Sequence, residues 1–174
     1  RPVEQIEVEV VDAELRTAPR ERRVRRAVAL VRPRSRQVST GADMFSAQCL
    51  ERALKDLPSI PEAIVGAVLV NPTYHGYASD PMPLVAALHR HGLPVLVDEA
   101  HGTHFAFAGG EALPRSSLHA GADLVVHSLH KSAPGLGQTA VLWLQGMRVR
   151  SEEVQASLLR FQTSSPSALL LASC

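Results

Sequence analysis

The feature that most constrains this chain is a run at residues 64–70 in which nearly every side chain is apolar. The run has the length of a β-strand, and its composition is typical of a parallel strand that is covered on both faces. Asp80 and Pro81 then supply a helix start, and Gly92 follows the end of that helix. A second apolar run at 94–98 completes a strand, helix, strand unit, whose crossover we expect to be right-handed.

The same pattern continues along the chain, so the sequence predicts an α/β fold. The further predicted elements are a helix within 45–57 with Ser46 as its N-cap, a short helix ending at Gly121, a strand at 123–126, a strand at 138–144, a helix beginning at Ser151 and a final helix beginning at 165–166. Strands that alternate with helices build a mostly parallel sheet. We therefore predict a three-layer α/β sandwich with a mostly parallel sheet.

The first part of the chain, residues 1–42, is less regular. Residues 3–11 alternate apolar and acidic side chains, which predicts an edge strand with one solvated face. Residues 24–31 fit either a strand or a short helix. Arginines crowd residues 20–36, and such a cluster either binds nucleic acid or forms a solvated arm. The cluster has no interleaved aromatic residues, which favours the arm. We expect an uncertain segment at 1–42, followed by part of one domain from 43 to 174.

The composition is that of an ordinary globular protein. The 174 residues are 45% hydrophobic and 20% charged, with a net charge of +1. The apolar runs fall well short of the roughly 20 residues that span a bilayer, and no apolar signal segment opens the chain. The two cysteines, Cys49 and Cys174, form neither a C-x-x-C pair nor a disulfide framework. These features predict a cytoplasmic protein that engages neither membrane nor nucleic acid.

Polar residues follow three of the predicted strands at the point where each strand ends. They occupy residues 71–74, 98–101 and 128–131. In a parallel sheet the ligand lies in a crevice outside the carboxyl ends of the strands. We therefore expect these three segments to direct polar side chains into one crevice.

One interpretation of these residues is a nucleoside triphosphatase. Residues 98–101 spell Asp-Glu-Ala-His after an apolar strand, which matches the DEAH form of a Walker B motif. In that motif the acids hold Mg²⁺ and orient water. The function also requires a phosphate loop of the form G-x-x-x-x-G-K-[ST], and the sequence contains none. This interpretation is therefore disfavoured.

A metal site is a second interpretation. It would use His101, His104 and Glu99, or the histidines around Lys131. A His-x-x-His pair does not have the i, i+4 spacing of a helical zinc pair, and no cysteine lies nearby. A lone histidine in an α/β protein is more often a packing or hydrogen-bonding residue, so we predict no metal.

Pyridoxal phosphate accounts for more of these residues at once. This cofactor needs a lysine for its Schiff base, a carboxylate beside its pyridinium nitrogen, a flat group over its ring and donors for its phosphate. Lys131 can supply the amine and Asp98 the carboxylate. His101 could then stack on the ring, with Ser128 and His130 near the phosphate. Taken singly, Asp98 could cap a turn and Lys131 could be a solvated loop residue. Their joint arrangement favours the cofactor.

Five segments carry a resemblance to a known family. They are NPTYHG at 71–76, LVDEAHGTHF at 96–105, GADLVVHSLHK at 121–131, QTAVL at 138–142 and FQTSSPS at 161–167. In order and spacing they resemble the large domain of the Orn/Lys/Arg decarboxylase family. The family consists of fold-type I pyridoxal-phosphate enzymes within the aspartate aminotransferase superfamily. The resemblance covers residues from about 45 to 173.

The resemblance implies a role for particular residues. It implies that Lys131 forms the Schiff base, that Asp98 pairs with the ring nitrogen and that His101 stacks on the ring. The full set of predicted cofactor-binding residues is Lys131, Asp98, His101, Ser128, His130 and Thr73. The family also builds its sites at a dimer interface, which implies a homodimer or higher homo-oligomer with residues 163–165 near the neighbouring subunit's phosphate.

The activity implied by the resemblance is the decarboxylation of arginine, lysine or ornithine. A fold-type I aminotransferase is the alternative among enzymes, because the same three residues serve both reactions. The family's glycine- and serine-rich phosphate loop has no counterpart in residues 1–42, and its small domain is absent after residue 174. A further alternative is therefore an inactive fragment that acts only as a dimerisation or regulatory module.

Overall fold

The computed structural model describes residues 6–14, 25–33, 64–107 and 113–174. Its strands are β1 (Ile6–Glu14), β2 (Arg25–Pro33), β3 (Ile64–Val70), β4 (Val95–Asp98), β5 (Leu124–Ser128) and β6 (Ala140–Leu144). Its helices are α1 (Met82–Arg90), α2 (Leu129–Ser132), α3 (Ser151–Phe161) and α4 (Ala168–Ala172), with a 3-10 turn at Thr103–Ala106. The helix predicted within 45–57 lies outside the described residues.

The six described strands form one sheet in the order β1 to β6. Strands β2 to β5 run parallel, whereas β1 and β6 pair antiparallel at the two edges. The predicted α/β fold with a mostly parallel sheet is confirmed, and β1 lies at an edge as predicted. Residues 24–31, for which the sequence allows strand or helix, lie almost entirely in strand β2.

The hydrophobic core lies between α1 and the central strands. Buried apolar side chains from α1 and from β3 to β5 form one cluster. Its members larger than alanine that are 2% exposed or less are Leu69, Leu84, Val85, Leu88, Val95, Val97 and Val125. Burying a side chain of this size stabilises the fold by about 1.5–3 kcal/mol. The central strands are therefore held firmly by the core, and they position the residues that follow their ends.

Helix α1 begins at Met82 with Pro81 as its N-cap, one residue later than predicted, and it ends where the sequence predicts. Asp80 Oδ1 accepts a hydrogen bond from the N–H of Met82 at 3.0 Å, which satisfies one of the unpaired donors of the first turn. Gly92 follows the helix with a φ of +71°, a conformation that glycine adopts without strain. The chain then enters β4 within three residues, so the capped helix fixes where that strand starts.

The prediction of a short helix that ends at Gly121 is wrong. Residues 117–121 form turns, although the N–H of Ala120 reaches back four residues to Ser116 O at 3.0 Å. The hydroxyl of Ser116 bonds the N–H of Leu118 at 3.2 Å, an alternative to the helical pattern that serine side chains commonly offer.

Several other predicted boundaries shift by one to three residues. Strand β6 begins at Ala140 rather than at 138, because Gln138 has a φ of 73°, which is incompatible with a strand. Helix α4 begins at Ala168 rather than at 165–166, and Ser167 Oγ accepts the N–H of Leu170 at 3.5 Å.

Helices α3 and α4 lie on the surface, and neither has a buried residue. Glu152 and Glu153 occupy the first turn of α3, as predicted, where negative charge is favourable for the helix dipole. Phe161, at the end of α3, is 89% exposed. Within the described ranges, no helix is both long enough and apolar enough to cross a bilayer.

Candidate active site

The ends of three parallel strands meet at one edge of the sheet. Val70 lies opposite Asp98, and Asp98 lies opposite Val126. Two hydrogen bonds continue the pairing past the strands, from Asn71 N–H to Asp98 O at 3.1 Å and from Glu99 N–H to Val126 O at 3.0 Å. The loop after β3, the turn after β4 and the chain that leads into α2 therefore leave the sheet side by side.

Lys131 and His101 make the contact that joins two of these strand ends. Lys131 Nζ donates to His101 Nε2 at 3.3 Å across 30 positions of sequence. The His101 ring also meets the Tyr74 ring edge to face, with centroids 5.7 Å apart and planes at 89°. The predicted convergence of the three segments is confirmed by these contacts. The cofactor roles given to Lys131 and His101 stay predictions.

Asp98 is the last residue of β4 and is half-buried. Its Oδ1 accepts the N–H of Ala100 at 3.0 Å, which fixes the carboxylate over the turn that follows. Among the described residues, Oδ2 has no hydrogen-bond partner. A carboxylate held by one oxygen can accept a further hydrogen bond at the other, including one from a protonated ring nitrogen.

The other predicted cofactor-binding residues occupy the same edge with contacts of their own. Ser128 is 8% exposed, and its side chain caps none of the N–H groups of α2. His130 Nδ1 donates to Thr139 O at 2.9 Å, which assigns a proton to that nitrogen. Thr73 Oγ1 accepts the N–H of Tyr77 at 3.2 Å and so closes its own loop. The roles of these side chains beside a phosphate stay predictions.

A buried carboxylate lies directly behind this edge, on the residue that follows Asp98. Glu99 is 0% exposed. Its Oε1 accepts from the backbone N–H and the hydroxyl of Ser117, both at 2.8 Å. Its Oε2 accepts from Ser116 Oγ at 2.9 Å and from His127 Nε2 at 2.7 Å. The carboxylate is thus satisfied by four hydrogen bonds, as a buried charge requires.

The tautomer of His127 follows from its second partner. Trp143 Nε1 donates to His127 Nδ1 at 3.0 Å, and an indole N–H can only donate. His127 Nδ1 must therefore be the unprotonated acceptor, and Nε2 carries the proton that is donated to Glu99. The hydrogen bonds run in one direction, from Trp143 through His127 to Glu99.

The sequence does not predict this buried group. It offers Glu99 only for a nucleotide or metal site, and His127 only as one of the histidines around Lys131 in the metal interpretation. A histidine directly after three apolar residues of strand β5 is a sign that a buried partner exists. The identity of the partner could not be predicted, because Glu99, Trp143 and the serines at 116–117 come from separate segments of the chain.

The histidines considered as metal ligands have different neighbours. The His104 ring packs against Phe105 with centroids 4.5 Å apart, whereas His101 contacts Lys131. In the part of the chain that the structure describes, no three histidine, cysteine, aspartate or glutamate residues are grouped so that they could hold a metal ion.

Comparison with known families and proteins matches most of the chain. The family model described as Orn/Lys/Arg decarboxylase, major domain, matches residues 34–174. The uncharacterized protein YaaO of Bacillus subtilis is 44% identical over 118 residues, covering 67% of this chain and 24% of that protein. Arginine decarboxylases of B. subtilis and Halalkalibacterium halodurans are 42% and 41% identical over 124 residues, covering 71% of this chain and 25% of each. The chain spans about a quarter of the length of these relatives, and the resemblance stated from the sequence is confirmed.

Solved structures share the fold. A low-resolution structure of SPT superposes with a TM-score of 0.51 at 25% identity, covering 74% of this chain and 34% of that one. A structure of SPT with PLP gives a TM-score of 0.50 at 24% identity, covering 74% of this chain and 32% of that one. These matches agree with the predicted fold class.

Proposed function

The chain belongs to the Orn/Lys/Arg decarboxylase family through its major domain, and we propose that it carries cofactor-holding residues of a pyridoxal-phosphate enzyme that decarboxylates a basic amino acid. The observation that carries this proposal is the 3.3 Å contact between Lys131 Nζ and His101 Nε2, which unites the turn after β4 with the helix after β5. Two of the relatives are named arginine decarboxylases, so arginine is the first substrate to test.

The donors and acceptors at this edge suit pyridoxal phosphate. The cofactor needs an amine for its aldehyde and a carboxylate for its ring nitrogen. Lys131 is exposed and offers the amine. Asp98 has an oxygen, Oδ2, that no described residue occupies. The Ser128 hydroxyl is not used to cap α2 and offers a donor for the phosphate.

The chain's own residues have separate tasks in this proposal. When bound, pyridoxal phosphate supplies a ring that accepts the electron pair released as the substrate loses its carboxylate. Asp98 assists because its negative charge favours the proton on the ring nitrogen. His101 Nε2 accepts a hydrogen bond from Lys131 Nζ and so holds the amine in place. The Tyr74 and His101 rings meet edge to face, a contact that favours one orientation of that imidazole.

We also propose that the protein works in the cytoplasm as a homodimer or higher homo-oligomer. The surface of the last turn of α3 supports the oligomer, because Leu159 is 66% exposed and Phe161 is 89% exposed. Beyond that helix, Thr163 Oγ1 accepts the N–H of Ser165 at 3.1 Å in an exposed turn. Such a turn presents hydroxyl groups that can donate to a phosphate across a subunit interface.

The lysine assignment is tested in the full-length protein with pyridoxal phosphate added and the excess removed. Lys131→Ala should abolish the visible absorbance of attached cofactor, because Lys131 is the amine proposed to hold the aldehyde; within residues 1–174 the other lysine is Lys55. Borohydride reduction followed by mass spectrometry should place the cofactor on the peptide that contains residue 131. The matched control, Lys55→Ala, should keep both readouts. Persistence of both in Lys131→Ala would overturn the assignment.

The reaction class has its own test. A decarboxylase should release carbon dioxide from arginine, lysine or ornithine without any added keto acid, and Lys131→Ala should remove that activity. Consumption of a keto acid without carbon dioxide release would instead identify an aminotransferase. Absence of both activities from a full-length protein that binds the cofactor would contradict the proposed catalysis.

A further inference from the structure

We infer that Glu99 is a positioning residue for the proposed cofactor site, and that Trp143 controls how it is bonded through the ring of His127. The inference rests on the proposed function, because it concerns how the residues that would hold the cofactor are kept in place. Glu99 is wholly buried and lies behind the site, so it acts through its neighbours in the chain.

The position of the Glu99 to His127 hydrogen bond is the first observation. Glu99 directly follows Asp98, and His127 directly precedes Ser128 at the start of the turn to Lys131. The 2.7 Å bond between their side chains therefore joins the two halves of the site just behind the groups that would touch the cofactor. The backbone pairing of β4 with β5 ends nearby, with Glu99 N–H donating to Val126 O. The side-chain bond is thus a second link between these strand ends, and it sets the separation of Asp98 from Lys131.

The direction of the hydrogen bonds is the second observation. Trp143 can only donate, so His127 must present its N–H to Glu99. A glutamine in place of Glu99 would keep its carbonyl toward Ser117, whose backbone N–H needs an acceptor at 2.8 Å. Its amide group would then face the N–H of His127, donor against donor. Glu99→Gln would therefore push the two strand ends apart, although glutamine has nearly the same shape as glutamate.

Removing the Trp143 donor reverses this conflict. In Trp143→Phe the ring of His127 is released to carry its proton on Nδ1 and to accept at Nε2. That tautomer matches the amide of a glutamine at position 99. We therefore expect Trp143→Phe to rescue cofactor binding in Glu99→Gln. Such a rescue would not occur if Glu99 merely filled space.

Glu99→Gln should weaken pyridoxal phosphate binding by about 10- to 100-fold, by analogy with the loss of a group that supports a metal ligand. The measurement is a titration of full-length apoprotein with pyridoxal phosphate, followed by visible absorbance. Unfolding by urea is measured in parallel on every variant. The double variant Glu99→Gln/Trp143→Phe should return the dissociation constant to within about threefold of the wild-type value.

Asp123→Asn supplies the matched control. Asp123 is also buried, at 1% exposed, and also accepts from a histidine, His89 Nε2 at 2.8 Å. It accepts as well from the N–H of Val95, at the opposite end of the same strands. Val95 lies about 10 Å from Asp98, because the two residues are three positions apart in a strand that rises roughly 3.3 Å per residue. Asp123→Asn should change stability but leave the dissociation constant within about twofold.

The outcomes separate this inference from the proposed function. If Lys131→Ala loses the attached cofactor while Glu99→Gln binds it like wild type, the function stands and the positioning role is overturned. Equal weakening by Glu99→Gln and Asp123→Asn would also overturn it, because the effect would then be general destabilisation. Should Glu99→Gln fail to fold, the double variant decides: folding with restored binding supports the inference, and failure of either contradicts it.

Discussion

Two buried carboxylates lie at opposite ends of the same pair of strands, and they are bonded differently. Glu99 lies where β4 and β5 end, and its four donors are two hydroxyls, one backbone N–H and a neutral histidine ring. Asp123 lies where these strands begin and accepts from the N–H of Val95 and from His89. Arg148 approaches Asp123 at 3.5 Å with a side chain that is 44% exposed.

The difference lies in access to water. Two partners of Asp123, His89 and Arg148, have side chains that reach solvent and can be hydrated if the carboxylate is lost, whereas the N–H of Val95 is buried. Glu99 and His127 are both 0% exposed, so their groups have only each other and their immediate neighbours. The hydrogen bonds of Asp123 therefore secure the start of β4. The hydrogen bond between Glu99 and His127 instead fixes the edge of the sheet where ligands of such folds bind.

The largest expected effect comes from removing each carboxylate in turn. Glu99→Ala should lower the free energy of unfolding by about 3–5 kcal/mol, because it leaves the N–H of His127 and of Ser117 buried without an acceptor. Asp123→Ala should cost less, about 2–3 kcal/mol, because it leaves only the N–H of Val95 buried without an acceptor, while His89 and Arg148 can turn to water. Urea denaturation of both variants gives the comparison. Equal losses, or a larger loss for Asp123→Ala, would contradict the distinction drawn from access to water.

A smaller effect should follow from crowding Glu99 without changing its chemistry. A Cβ at Gly102 would lie 2.7 Å from Glu99 Cγ and 2.7 Å from Pro72 Cδ. Gly102→Ala should therefore destabilise the fold by about 1–3 kcal/mol, the usual cost of overpacking. Gly137→Ala is the matched control, since nothing lies within 4 Å of the added methyl group and the change should stay within about 0.5 kcal/mol. The melting temperatures of Gly102→Ala and Gly137→Ala test this prediction. Similar melting temperatures would mean that the side chains around Glu99 move to accept the added methyl group.

The smallest effect is expected at the solvent-accessible side of Asp123. Arg148→Ala should change the free energy of unfolding by about 0.5 kcal/mol or less, because an exposed charge at 3.5 Å is screened by water and salt. Urea denaturation at low and high salt measures it. A loss above about 1 kcal/mol at low salt would show that Asp123 depends on its ion pair with Arg148. The contrast between Asp123 and Glu99 would then be weaker.

Much of this fold could be predicted from local sequence patterns. The apolar run at 64–70 has the same bounds as β3, and Asp80 and Gly92 delimit α1 as expected. The approach of Lys131 to His101 could be anticipated as well, because parallel strands place their carboxyl ends on one edge. Each of these features depends on neighbours in sequence or on a general rule of topology.

The environment of Glu99 could not be predicted in the same way. The segment around Ser116 has the composition of a short helix, yet it forms turns whose hydroxyls bind a carboxylate from another part of the chain. The tautomer of His127 depends on Trp143, which arrives from the antiparallel edge strand. Such long-range pairings leave only a polar residue in an apolar strand as their trace in the sequence.

Trp143 is the single tryptophan of the chain, and its indole nitrogen is bonded to the ring that touches Glu99. Indole emission is sensitive to the hydrogen bond at that nitrogen and to nearby absorbing groups. All of the tryptophan fluorescence of residues 1–174 therefore originates from one point directly behind the candidate active site. The edge strand thus carries a native optical probe of how the ends of β4 and β5 are joined.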